Sequence, residues 1–211
     1  LKLNLFVTSR SLDEYIDGFF TGFKNSLDKL KPHEVWMDLG SGKGKAALEF
    51  LRSKRHMQDS PTVVLITYKS GRWLKWPQFS GKLKTFEGKL FEDIVESEMP
   101  KAQLITDFFG VLNYTLDLTL SLTKVFSHLE KGGELYLHSK HTHTMIETPQ
   151  GKIMGLTEFL KSIPGLEVEG QFGILKVTKS ADRIVVPELK LVKVDEAERP
   201  FFRRFALIQN R

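Results

Sequence analysis

The chain contains no cysteine. That excludes a disulfide framework and a cysteine-built zinc site, and it leaves the redox state of the compartment open. It also excludes any mechanism that relays through a cysteine of this chain, cytosine C5 methylation among them. No run of about 18 apolar residues occurs, so no transmembrane helix and no membrane partner is expected. The opening residues 1–7 are too short for a signal peptide, and no cleavage pattern follows them. Internal repeats and low-complexity tracts are missing, and no linker splits the chain. What remains, 211 residues with 41% hydrophobic content, suits one α/β domain with a sizeable core, expected in the cytoplasm. The first residue is leucine and not methionine, as in a trimmed or partial chain. The oligomeric state leaves no trace in the sequence.

The net charge is +5 and the sequence pI about 9.3. Basic residues gather at Arg52, Lys54 and Arg55, between Lys69 and Lys75, and at Arg203 and Arg204. Nucleic-acid binding is one reading of such a balance. The clusters are scattered, however, and no nucleic-acid module accompanies them. The favoured reading is a lysine-rich solvated surface that steers anionic partners.

The rest of the chain is organised around residues 35–51. Val35 to Leu39 is a short apolar run that reads as a buried strand. Glycine then stands at every second position, Gly40, Gly42 and Gly44. A helix pattern follows, with Ala46, Ala47, Phe50 and Leu51 on one face. Strand, glycine turn and helix form the opening of a nucleotide-type site, because glycine lets a ligand approach the backbone and the helix start presents amides to an anion. A P-loop is excluded twice: Ala46 follows Gly44-Lys45, and Leu39 stands where the earlier glycine belongs. The dinucleotide fingerprint needs its third glycine at the position of Lys45. A glycine-rich turn without a ligand is the remaining alternative.

Residues 12–30 carry apolar groups at helix spacing, from Tyr15 to Leu30, with Ser11 and Glu14 as a capping box and Pro32 as the stop. Their aromatics read as core. Strands are expected at residues 62–67, 82–86, 102–107 and 134–138. A helix is expected over 116–129, stopped by Gly132-Gly133. Beyond a helix at 156–163, residues 166–168 and 174–177 read as strand segments, either separate or one bent strand across Gly170 and Gly173. Residues 201–208 read as the closing strand.

Asp38 two residues before Gly40, with glycine alternating to Gly44, resembles motif I of the class I S-adenosylmethionine-dependent methyltransferases. The order of elements from about Tyr15 to Val177 is similar to that family. Leu129-Glu130-Lys131-Gly132-Gly133 resembles its turn before the fifth strand, with Lys131 in the place of proline. Asp107 matches the motif IV position. The resemblance implies a three-layer Rossmann-like fold with a mostly parallel seven-stranded sheet and an antiparallel C-terminal strand. It implies a lead-in over 1–34, a core over 35–179 and an extension with the closing strand over 180–211.

The resemblance also implies S-adenosylmethionine as cofactor. Gly40, Ser41, Gly42 and Gly44 would cradle its methionine end, and Asp38 would hold the loop and meet the amino group. Thr67 and Tyr68 would face the ribose. Glu87, Gly88, Lys89 and Leu90 would border the adenine, and Asp107 and Phe108 the sulfonium. One departure stands out: the family carries an acid after the second strand, and this chain has Thr67-Tyr68-Lys69. Neither hydroxyl offers the two acceptors of a carboxylate. Residues 106–110, Thr-Asp-Phe-Phe-Gly, lack the proline pair of base amino-methyltransferases. An oxygen or nitrogen acceptor on a small molecule, protein or RNA is what remains, or a non-catalytic domain of the same fold.

Candidates on the acceptor side are Asp107, Asn113, Tyr114, His138 and His141. The stretch 138–143 holds three histidines. It reads as a metal site, as a general base or as a polar loop. No acid or cysteine flanks the histidines to orient them, so no metal is expected.

Overall fold

The computed structural model describes residues 9–19, 21–54, 60–67, 82–139, 142–195 and 201–208. Tyr68, His141 and the basic stretch 69–75 lie outside them. Strands β1 (Val35–Leu39), β2 (Thr62–Thr67), β3 (Leu83–Glu87), β4 (Ala102–Phe108) and β5 (Leu129–His138) pair in parallel in the order β3-β2-β1-β4-β5. Strand β9 (Ile174–Lys179) joins β5 antiparallel, and β8 (Leu166–Gln171) closes the seven-stranded sheet beside it.

The apolar runs of β1, β2 and β4 are buried on both faces, as parallel strands between helices must be. Side chains alternate between two cores. Trp36, Val63, Leu65, Leu104, Phe108 and Tyr136 pack with α1 (Leu12–Phe19), α2 (Thr21–Asp28) and α3 (Lys45–Ser53). Val35, Met37, Leu39, Val64, Ile66 and Ile105 pack on the other side with α4 (Val111–Tyr114), α5 (Leu118–His128) and α6 (Leu156–Lys161). The result is a three-layer α/β architecture.

A second sheet joins this latter side. Strands β6 (Thr142–Glu147), β7 (Ile153–Gly155), β10 (Leu189–Asp195) and β11 (Phe201–Leu207) lie in the order β10-β11-β6-β7. Ile146, Leu189 and Phe205 from it share the core of α5 and α6.

Several expectations are corrected. Residues 12–28 are helical where the structure describes them, as α1 and α2 on either side of residue 20. Gly132-Gly133 does not stop a helix. Helix α5 ends at His128, and both glycines lie inside β5, where Gly132 takes a φ of 78° and the pairing with β4 shifts register. Of the two readings of 166–177, the separate segments hold: they are two strands of a hairpin, because Phe172 and Gly173 both have positive φ (53° and 76°), the twist of a tight two-residue turn. Residues 201–208 do not close the main sheet; β11 pairs with β6 and β10, and β9 is the antiparallel strand.

The cations at 124, 179 and 203 are not surface charge. Lys124 donates to the carbonyls of Phe91 (2.9 Å), Glu92 (2.8 Å) and Ile94, and Lys179 to those of Phe126 and Leu129, both at 2.7 Å. Arg203 is fully buried.

Candidate functional site

The carboxyl ends of β1 to β5 lie along one edge of the sheet, where open α/β sheets bind ligands. At the end of β1, Gly40, Gly42 and Gly44 have φ of 72°, 57° and 65°. The amides of Gly40 and Ser41 both donate to the Ile66 carbonyl of β2, at 2.9 and 3.0 Å. Gly44 N–H closes the turn on the Ser41 carbonyl at 2.8 Å, and Gly44 O starts α3 by accepting from Leu48 at 3.1 Å. No side chain caps this helix, and its first turn holds no acid. The first-turn amides of such a helix have no intrahelical partner and suit an anionic group.

Gly40 answers a second demand. A Cβ there would run into the Cα of Gly110, and a Cβ on Gly110 would run into the Leu39 carbonyl. The glycine loop and the segment after β4 therefore touch backbone to backbone.

Further along the edge, Thr67 is buried at the end of β2, and the Gly88 amide donates to its carbonyl at 3.0 Å. Glu87 is half-buried, while Lys89, paired to Glu98 at 3.6 Å, and Leu90 are exposed.

The two acids of the motifs are fully buried on opposite faces of the sheet. Asp38 faces α1. It accepts from the Tyr15 hydroxyl at 2.9 and 3.2 Å and from the Thr106 hydroxyl at 2.7 Å, and the Trp36 indole donates to Thr106 at 2.9 Å. Burial pushes the Asp38 carboxyl up to about 7 against these hydrogen bonds. Asp107 faces the second sheet and accepts from the amides of Gly110 and Leu112, both at 2.6 Å, and from the Asn113 side chain at 2.9 Å. Burial raises it to about 6, with the hydrogen bonds opposing.

Asn113 also donates to the His138 carbonyl at 3.2 Å, which joins three of the acceptor-side candidates in one network. Tyr114 is half-buried at the end of α4. The His138 ring lies on the other face of the sheet from Asp107, stacked on Phe108 at 4.5 Å, with Phe109 edge-on at 4.4 Å. His143 is exposed on β6. Among the described residues no three histidine or acidic side chains converge on a metal position.

Four residues of the site were not singled out in the sequence. Tyr15 seals Asp38. Arg10 lies over the rings of Phe108 (4.7 Å) and Phe109 (5.1 Å). Phe109 itself takes a φ of 55°. Arg203, on β11, donates to the carbonyls of Leu112 (2.7 Å) and Thr115 and to the Thr144 hydroxyl (2.7 Å). Only Arg203 left a signal: it stands in phase with the buried Phe205 on an alternating strand.

Neither a protein-family model nor a curated protein matches the chain. Solved structures do. The MycE methyltransferase of the mycinamycin biosynthetic pathway, in complex with Mg and SAH, aligns over 83% of this chain and 56% of its own, with a TM-score of 0.50 and 13% identity. The chain has the class I methyltransferase fold. YjhP from E. coli covers 64% of this chain with a TM-score of 0.43 and 15% identity. CalO1, a methyltransferase in calicheamicin biosynthesis in SAH-bound form, covers 80% with a TM-score of 0.39 and 15% identity. The chain spans 51% of YjhP and 60% of CalO1. Within this methyltransferase fold the second sheet borders the segment after β4, through Arg203.

Proposed function

We propose that this chain binds S-adenosylmethionine and transfers its methyl group to an oxygen or nitrogen acceptor on a small molecule, protein or RNA. The observation that carries the reading is the glycine loop: three left-handed glycines at the end of β1, followed at once by a helix start with no side-chain cap. Such a backbone fits a ligand that ends in a carboxylate and lies close against the chain. The cofactor supplies an electrophilic methyl group. The chain's part is positioning, which such transfers need more than covalent chemistry. Thr67, Glu87 and Gly88 would border the nucleoside, and Asn113, Tyr114 and His138 the acceptor.

Calorimetry with S-adenosylhomocysteine tests this. The wild type is expected to bind it, and Gly42→Ala to bind at least about tenfold more weakly, since a left-handed Cβ costs about 1–2 kcal/mol and intrudes on the ligand. Equal binding by both proteins would remove the glycine loop from the site.

A second reading draws on Asp38. Its carboxylate is sealed by Tyr15 and Thr106, as in a fold kept for binding a partner without chemistry. A thermal-shift panel of S-adenosylmethionine, S-adenosylhomocysteine, NAD and NADP separates the two, because a ligand of the native state raises its melting temperature.

A further inference from the structure

Asp38 is a fully buried carboxylate beside the glycine loop, and every hydrogen bond it accepts among the described residues comes from a neutral hydroxyl. Neutral donors compensate a buried charge less well than a cation does. The two donors differ in how they are held. Thr106 belongs to β4 and is fixed in turn by the Trp36 indole. Tyr15 belongs to α1, a helix outside the sheet, whose start is tied to α3 by the Leu12 amide on Glu49 at 2.7 Å. The Tyr15 ring leans on Phe19, Phe108 and Trp36 at 5.0–6.3 Å between centroids, so its packing does not depend on the hydroxyl.

We propose that Tyr15 gates the cofactor pocket: its hydroxyl holds the place on Asp38 that a primary ammonium takes, and α1 yields when that ammonium arrives. The inference rests on the reading of the site as one for S-adenosylmethionine, whose aminoacyl end carries the ammonium. An ammonium offers three donors and a full charge to a carboxylate that has neither from Tyr15. The gate makes the site selective for ligands with that end over the bare nucleoside.

Two probes separate gating from a general loosening. S-adenosylhomocysteine carries the ammonium, and 5′-methylthioadenosine lacks the whole aminoacyl end. By calorimetry, Tyr15→Phe is expected to tighten S-adenosylhomocysteine about tenfold, as one hydrogen bond to a charged group no longer has to be displaced. Binding of methylthioadenosine stays unchanged. In an Asp38→Asn background the same substitution has no effect on either ligand. Unchanged or weaker S-adenosylhomocysteine binding, or an equal shift for both ligands, overturns the gate while the cofactor reading stands. Failure of both proteins to bind either ligand overturns the two together. Hydrogen exchange on the wild type needs no variant. Amides of residues 12–19 are expected to lose protection with S-adenosylhomocysteine and not with methylthioadenosine, and unaltered protection with both overturns the gate.

Discussion

Asp38 and Asp107 stand back to back across the sheet, and burial holds their carboxyls at about 7 and about 6. In the unfolded chain both titrate near 4. Between about pH 4 and pH 7 the folded state therefore binds more protons than the unfolded one, so stability falls as pH rises through that window and levels off above it. Asp38→Asn removes the larger part of the fall. The melting temperature of this variant, relative to wild type, is expected to gain on the order of 5 °C between pH 5 and pH 8. A difference that stays flat across the scan would mean that Asp38 keeps an ordinary carboxyl. The glycines give a second comparison at this scale. Gly110→Ala drives a Cβ into the Leu39 carbonyl, and backbone cannot step aside as a side chain can. It should cost on the order of 3 kcal/mol, or about 10 °C. Gly88→Ala brings left-handed strain, at φ 72°, which Gly110 at φ −100° does not have, but it meets open space. It should cost about 1 kcal/mol, and scanning calorimetry on the two variants checks the ranking.

Among the elements, Arg203 is the fastening between the second sheet and the segment after β4. Burial lowers its guanidinium to about 10, so it stays charged at neutral pH. Arg203→Met leaves the carbonyls of Leu112 and Thr115 and the Thr144 hydroxyl without this donor. A loss on the order of 3 kcal/mol is expected, with faster hydrogen exchange across residues 107–115. Exchange that quickens elsewhere and not there would assign Arg203 to the second sheet alone. The strands β1, β2 and β4 were legible as mostly apolar runs between turn signals, and β3 and β5 as shorter stretches in the alternation of strands with helical patterns. The second sheet was not. Strand β6 turns Thr144 inward, β11 turns Arg203 inward, and the two meet 59 residues apart with no local mark of the pairing. At the candidate site, Asp38 and the glycines stood out through their spacing and its resemblance to the methyltransferase motif. Tyr15 did not, since helical periodicity marks a buried face and cannot say which aromatic on it aims a hydroxyl at an acid.

For the molecule as a whole, the two sheets share one core: Phe205, Ile146 and Leu189 lie in the same cluster as Leu118, Leu122 and Phe159. Neither sheet can expose its face without opening the other's. Urea unfolding is accordingly expected in one step, with far-UV circular dichroism and the tryptophan emission, to which the buried Trp36 contributes, reaching the same midpoint. Two separated midpoints would make the second sheet an independent unit. The fastening of the segment after β4 also has an order in time. The contacts of Asp107 to Gly110, Leu112 and Asn113 span 3, 5 and 6 residues, so they can form as soon as that stretch of chain is free. The Arg203 contact to Leu112 spans 91 residues. At roughly 5–20 residues per second on a ribosome, Arg203 is added between about 5 and 18 s after Leu112. The nascent protein thus carries a shaped but unfastened segment after β4 for seconds, and the glycine loop that touches it through Gly40 is complete before its neighbour is locked.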